Sequence, residues 1–373
     1  MVPWSYRLKV DGAPASAGVL AAIQEIEVEE SLELADILRL HLAIDRNAAG
    51  SSWTVVDDDT FRRLRKLELA VTIGSKTEPL IEAYVIDVAI EIAPTPGNSA
   101  LTVVAMDASV LMDLEEKQRA WPDMSDASIA RAVFGDYGFA LAVDETQPTR
   151  QAVDHTSVQR GTDIQFLRQL ALRNGYECFV EIDPGTQRTT GHFHAPRLDG
   201  AAQPTLSVHL GTETNVAAFK ARYDMLRPTS VKAAGLDVET GEPQSASSDK
   251  SEQKSMGTTS TDARDKPRSV LLSNTGLSDA GELATLTQAI VDRSAWAVDA
   301  EGELDGEIYG ALLRAKRTVL VRGAGTQFSG TYYVTKVHHH FAGGRYVQRF
   351  GLRRTATGVP RSQRFDEQKG LPS

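Results

Sequence analysis

Apolar residues recur at every second position through most of the first hundred residues. Leu38, Leu40, Leu42 and Ile44 interleave with Arg39 and His41 ahead of Asp45. Leu67, Leu69, Val71 and Ile73 repeat the pattern up to Gly74, and Tyr84, Ile86, Val88, Ile90 and Ile92 extend it to the break at Pro94-Thr-Pro-Gly97. A further run, Leu101 to Met106, closes the block. Alternation of this kind with Gly and Pro punctuation predicts antiparallel strands in a sandwich or barrel. The first domain is therefore expected over residues 1–108.

The period changes after Asp107. Ser125 is placed to cap a helix whose Ile129, Val133, Phe134 and Tyr137 fall on one face, with Gly138 at its end. A second helix is expected after Thr162: Phe166, Leu167, Leu170 and Ala171 form its apolar stripe, Asp163 complements its positive end, and Asn174-Gly175 stops it before the apolar run Tyr176 to Ile182. Residues 109–204 thus read as a mixed α and β middle domain. Strands resume at Leu206 to Leu210 and Phe219 to Val238, a helix is expected from Ser278 to about Trp296, and strands return at Thr318 to Arg322, Thr331 to Phe341 and Tyr346 to Arg354. Gly343-Gly344 between the last two runs is a hairpin signal. This gives a second β-domain with a helix over 205–238 and 269–356, and a C-terminal tail over 357–373. Between Glu239 and Arg268 there is no Val, Ile, Leu, Phe, Tyr or Trp. Such a stretch buries too little surface to offset its ordering entropy, so 239–268 is expected to be a mobile polar loop.

The two β-blocks share a layout. Gly74 precedes Tyr84 by ten positions and Gly323 precedes Tyr333 by ten, with Tyr84-Val85 and Val88 matching Tyr333-Val334 and Val337. Either one module is duplicated, or two unrelated antiparallel sheets share a similar rhythm.

Charge narrows the function classes. Forty Lys and Arg stand against fifty Asp and Glu, a formal net charge of −10, which disfavours binding to nucleic-acid phosphates or anionic lipid. A single cysteine, Cys178, leaves no disulfide framework and no cysteine-based zinc site. There is no basic-then-apolar start and no apolar run long enough to cross a bilayer. The expectation is a soluble protein made in the cytoplasm.

Candidate chemistry is sparse. No phosphate loop, dinucleotide fingerprint or nucleophile elbow is present. Cys178 lies in an apolar strand-like run, which favours a buried structural thiol. Asp57, Asp58 and Asp59 could offer paired carboxylates for glycoside hydrolysis, but they precede the basic stretch Arg62 to Lys66 and read better as a solvated turn. In His338-His339-His340 the middle residue of a strand faces away from its neighbours, so only His338 and His340 could share an ion. His192 and His194 have the same spacing. For both pairs ordinary strand histidines are the favoured reading, with no metal and no cofactor required.

Three segments together resemble the phage late control protein D family, the baseplate hub of contractile tails, which is similar to the hub portion of type VI secretion spike proteins. Gln159-Arg-Gly-Thr-Asp163-Ile-Gln-Phe166-Leu167-Arg-Gln-Leu170-Ala-Leu-Arg173-Asn-Gly175-Tyr176 looks like that family's Thr-Asp-x-x-Phe-Leu-x-x-Leu-Ala-x-Arg-x-Gly signature. Met112 to Lys117 with Trp121 to Ser125, and Phe328 to Val334 through His338 to Arg354, support it. The resemblance implies a mainly β fold, with two tube-like β-domains and an α+β insertion. It also implies structural roles for Asp163, Phe166, Leu167, Leu170, Arg173 and Gly175, and no catalytic residue. Its implied function is a homotrimeric adaptor that joins a sixfold inner tube to a threefold spike and lines the central channel. The implied partners are other copies of the chain, the inner tube protein, a separate trimeric spike and other baseplate proteins, without stable nucleic-acid binding or membrane insertion. Such a hub is assembled in the bacterial cytoplasm and carried in the baseplate of a virion or injection particle. Because the chain stops soon after its last strand, a stand-alone hub is expected rather than a hub fused to a spike. The rival readings are a tail-associated cell-wall hydrolase and a tail tube ring protein.

Overall fold

Burial of every second side chain builds the first module. Its strands are β1 (Trp4–Val10), β2 (Ile23–Ser31), β3 (Ile37–Ala43), β4 (Lys66–Ile73), β5 (Lys76–Glu91) and β6 (Ala100–Asp107). The computed structural model describes residues 2–46, 52–57, 59–95, 97–146, 156–236, 241–261, 268–273, 275 and 279–360. Ile26, Val28, Leu38, Leu40, Val103 and Ala105 point to one side and are fully buried, and each large apolar side chain so enclosed contributes roughly 1.5 to 3 kcal/mol. Residues between them, such as Glu27, Arg39 and Thr102, lie on the other face.

The middle unit holds α1 (Asp126–Asp136) and α2 (Asp163–Asn174), packed on the antiparallel pair β7 (Glu177–Ile182) and β8 (Thr189–His194). Ser125 Oγ accepts from the Ser128 amide at the start of α1. Gly175 ends α2 at φ +69°, and a Cβ there would come within 3.2 Å of the Ala289 side chain.

The second module consists of β9 (Val216–Tyr223), β13 (Val298–Asp305), β14 (Thr318–Arg322), β15 (Gly330–Ala342) and β16 (Arg345–Arg354). Between β9 and β13 come β10 (Thr229–Leu236), β11 (Pro243–Ser248), β12 (Arg268–Leu272) and α3 (Ala280–Ser294). Gly343 and Gly344, both with positive φ, form the two-residue turn between β15 and β16. The fold is mainly β, and its three longest helices lie in the middle unit and beside β10.

Strand pairing shows a duplicated module. Neighbours in the first module run β2-β3-β6-β5-β4, and in the second β9-β13-β16-β15-β14. The irregularities match as well. The β5–β6 register shifts between Val85 and Asp87, and the β15–β16 register shifts between Val334 and Lys336. Likewise β2 shifts against β3 between Ile23 and Glu25, and β9 shifts against β13 between Val216 and Ala218. Two unrelated sheets would have no reason to share strand order and bulge positions. The modules are not separate bodies, because Lys336 to Ala342 of β15 pairs antiparallel with β2 and unites both in one 13-stranded sheet.

Two expectations about the second half are corrected. Thr229–Leu236, Arg268–Leu272 and the helix do not extend the second β-domain: β10 pairs with β11 and β12 in a separate three-stranded sheet covered by α3. Nor is the polar stretch a mobile loop where it is described, over 241–261. There β11 is fully paired with β10, and Thr259–Ser260 pairs with Ala356–Thr357. Backbone hydrogen bonding and one apolar anchor replace the missing large side chains. Met256 packs against Trp296 and Tyr333, and its carbonyl accepts from Arg354 Nε at 3.1 Å and NH2 at 2.9 Å. Residues 239–240, 262–267 and 361–373 of the expected loop and tail lie outside the described residues.

Arg354 is fully buried and depends on that carbonyl together with those of Ser329 and Gly358. Replacing 241–261 by a Gly-Ser linker is therefore expected to destabilise the chain by about 3 to 5 kcal/mol, the usual consequence of stripping partners from a buried charge. Urea unfolding of the two full-length proteins measures it, and unchanged stability would show that the insert docks without contributing.

Candidate assembly surface and its buried charge cluster

The segment before β14 carries four successive residues, Arg314-Ala-Lys316-Arg317, that lock the second module to the rest of the chain. Arg314 Nε lies 2.5 Å from Glu30 Oε1, while its NH1 and NH2 donate to the carbonyls of Pro79 and Leu80. The Ala315 amide donates to Glu30 Oε2 at 2.8 Å. Lys316 Nζ donates to both Asp36 oxygens, at 2.9 and 2.8 Å, and lies 4.8 Å from the Phe179 ring centre. Arg317 reaches Glu181 of the middle unit at 2.9 Å. Asp107 Oδ2 in turn accepts from the Asp36 amide at 2.6 Å. First module, middle unit and second module meet in this one cluster.

Burial makes the cluster electrostatically exacting. Burial would raise the Glu30 carboxyl, but Arg314 and His339 outweigh it and hold Glu30 well below the usual carboxylate range. Burial also opposes the charge on Lys316, which Asp36, Glu181 and Glu30 nonetheless keep protonated above its ordinary range. Burial pushes Asp36 up to about 7, with the neighbouring Asp107 and Glu30 carboxylates adding to it against the pull of Lys316. Sequence reasoning did not single out these groups, because their partners lie hundreds of positions away in the chain. One signal was available: Glu30 continues the buried alternation of Ile26 and Val28, where a lone carboxylate requires a partner.

The signature residues hold the middle unit together. Asp163 is buried at the first turn of α2, accepting from Lys117 Nζ at 2.6 Å, Tyr137 OH at 2.7 Å and Gln159 Nε2 at 2.7 Å. Phe166, Leu167 and Leu170 fill the core between α1, α2 and β7. Arg173 grips Asp126 at the start of α1 through Nε at 2.7 Å and through NH2.

The histidines separate by face. His339 is buried in the core and bonds Tyr346 OH through Nδ1 at 2.7 Å. His338 and His340 lie on the opposite, polar face, 3.3 Å from Glu27 and 2.5 Å from Glu25. Glu25, Glu27 and His340 present ligand atoms close enough to hold one cation, on a half-buried surface. His192 stacks on Phe179 and bonds His194 at 3.0 Å, and burial pushes it down to about 4. His194 Nδ1 is tied to the Ala195 carbonyl at 2.8 Å. This pair is packed into the middle unit rather than open to a ligand.

A cleft of 310 Å³ between the middle unit and the second module is lined by Leu32, Arg168, Glu177, Cys178, Trp296 and Tyr333 among others. Burial pushes Cys178 up to about 12, which leaves the thiol unreactive. Burial pushes Glu177 up to about 7, and Tyr333 OH donates to it at 2.8 Å. Glu33 lines the same cleft. Asp57 accepts from the Trp53 amide at 2.7 Å in a turn, Asp59 has a positive φ, and Asp58 lies outside the described residues.

A continuous polar face runs along the long sheet. Glu25, Glu27, Arg39 and His41 lie on it in the first module, and Glu301, Glu303, Arg349, His338 and His340 in the second. Cross-strand pairs neutralise it locally, such as Arg349 with Glu303 at 2.8 Å.

Two outcomes test the electrostatics. Lys316→Met, which leaves Asp36 buried without its cation, is expected to cost about 3 to 5 kcal/mol, and Lys316→Met with Asp36→Leu is expected to recover most of it. Chemical unfolding of both variants measures this. The second outcome concerns Glu177, which keeps its proton in the folded chain to about pH 7 and releases it near its ordinary value when unfolded. Over that window the folded state binds more protons, so its contribution is present at low pH and lost as pH rises through about 7. Relative to wild type, Glu177→Gln should gain about 3 kcal/mol between pH 4 and pH 8, and parallel stability curves would refute it.

The fold is shared with tail proteins. The chain is similar to the 43 kDa tail protein of prophage MuSo2 from Shewanella oneidensis, at 14% identity and a TM-score of 0.66, over 94% of this chain and 98% of that one. It is similar to a tail protein from Neisseria meningitidis MC58, at 11% identity and a TM-score of 0.65, over 96% of this chain and 100% of the other. A third likeness is to the Escherichia coli c3393 protein, a component of the type VI secretion system that exhibits structural similarity to T4 bacteriophage tail proteins gp27 and gp5. It has 11% identity and a TM-score of 0.58, over 93% of this chain and 76% of that one. At such identities the likeness concerns the fold. No curated protein sequence matches the chain, and among the described residues no helix is long and apolar enough to cross a membrane. The family model described as the Alg8 N-terminal domain matches residues 3–343, across both modules, the middle unit and the insert, and the chain belongs to that family.

Proposed function

We propose that this chain is the structural baseplate hub of a contractile phage tail or phage-tail-like injection system, with the role of the late control protein D family. Three copies form a ring that joins a sixfold inner tube to a separate threefold spike. The observation that carries this reading is the strand-for-strand duplication, in a fold shared with tail proteins. Two equivalent modules per chain give a trimer six similar faces towards the tube while keeping threefold symmetry towards the spike. A tube ring protein needs only one module, so the duplication favours the hub.

In this reading the polar face of the long sheet lines the channel. Its mixed charges and half-buried imidazoles suit passage of cargo without tight binding. The middle unit and the insert lie away from the tube, where other baseplate proteins bind. The protein works by geometry and converts no substrate, and its place is the baseplate of the virion or injection particle, after synthesis in the bacterial cytoplasm.

Native mass spectrometry of the full-length protein and cryo-EM of purified particles test the proposal. The expected result is three copies at the tube–spike junction with both modules of every chain facing the tube. Six copies each offering one module, or peptidoglycan cleavage by the purified chain, would overturn it.

A further inference from the structure

The junction between the two modules of one chain has a counterpart that the chain leaves open at both ends. Inside the chain, Lys336 to Ala342 of β15 takes β2 as its antiparallel neighbour, in the register Val337 to Glu30, His339 to Val28 and Phe341 to Ile26. In the duplicated layout β5 occupies the place of β15, and β9 occupies the place of β2. Beyond Val85, no strand among the described residues pairs with β5 on the edge away from β6, and none pairs with β9 on the edge away from β13.

Exposure marks the β5 edge as unfinished. Val337, His339 and Phe341 are 0%, 0% and 3% exposed, whereas their counterparts Val88, Ile90 and Ile92 are 44%, 44% and 59% exposed. A long apolar edge strand of this kind is a template for another strand.

We propose that residues 86–92 of one copy pair antiparallel with β9 of the next copy, repeating between chains the junction that β15 and β2 make within one. This rests on the hub reading for the number of chains that close the ring. Carrying the internal register across sets Val88 opposite Tyr223, Ile90 opposite Ala221 and Ile92 opposite Phe219, so each exposed apolar residue gains a cross-strand neighbour. On the polar face it sets Glu91 opposite Lys220, a pair of opposite charge, with Arg222 diagonal to both Glu91 and Asp87. Lys220 now lies 3.3 Å from Glu301 and is largely exposed, so it can turn to a new partner. The one like-charge meeting, Asp87 with Asp224, falls just past the end of β9, where Arg222 and Arg227 already neutralise Asp224. The contact is heterologous, since one edge meets a different edge, and such contacts close into rings when the rotation permits.

Disulfide trapping reads the register directly, because a cystine forms only between closely opposed Cβ atoms. In the full-length protein, Glu91→Cys with Lys220→Cys should give, on oxidation, covalent dimers and trimers and no larger species, while Glu91→Cys with Arg222→Cys should lose these bands. Both sites are exposed, so the variants should melt with wild type, and Cys178 is buried and inert. A trimer by mass in which 91 and 220 do not link would overturn the edge pairing and leave the hub reading standing. A 91–220 ladder that continues past three chains would support the strand junction and overturn the trimeric hub. Absence of both linkage and self-association at the highest soluble concentration would overturn the edge pairing.

Discussion

Two buried ion pairs, Arg314 with Glu30 and Lys316 with Asp36, determine whether this chain is one body or three. Each member lies more than 270 positions from its partner in sequence, so none of the pairs exists until the fold is complete. Removing two charges from water costs several kcal/mol per ion, which the pairs offset with hydrogen bonds from further donors and acceptors of the same groups. Arg314 spends its other donors on the Pro79 and Leu80 carbonyls, and Glu30 spends its second oxygen on the Ala315 amide. The arrangement rewards one relative placement of the modules and penalises all others, which apolar contact alone would do less sharply.

That placement has consequences along the sheet. With Arg314 and Lys316 seated, β15 is carried against β2, and the apolar core of the first module takes in Leu312, Phe341 and Tyr346 from the second. The ring of Trp4 lies against Phe341 and Tyr346, so the first strand also bridges the modules. Arg317 extends the same cluster to Glu181, and Tyr333 OH reaches Glu177, which fixes the middle unit from two sides.

Much of the fold was legible because short-range rules sufficed. The strands at 38–44, 67–73 and 101–106 follow from period-two alternation, and the Ser125 cap, the Gly175 stop and the Gly343-Gly344 turn follow from local backbone preferences. The duplication was visible only as a faint rhythm, since strand order and bulge position resist substitution while side chains drift. β2 was missed because only Ile26 and Val28 carry its apolar rhythm before Glu30 takes the next buried position, while Glu25, Glu27 and Glu29 occupy the polar face of a regular strand.

By itself the sequence determined the strands at 38–44, 67–73, 101–106, 318–322, 331–341 and 346–354, the two middle helices with their signature residues, and the absence of a disulfide framework, because each depends on neighbours within a few positions. Tertiary structure alone decided three other things. It made an ordered insert of 241–261, because a polar segment can be held by backbone pairing and by Arg354 in place of its own apolar side chains. It made the basic run at 314–317 the joint of the molecule, with Arg314 and Lys316 buried. It also merged two modules into one sheet, because backbone hydrogen bonding between β15 and β2 depends on where the chain returns in space, which no local pattern encodes.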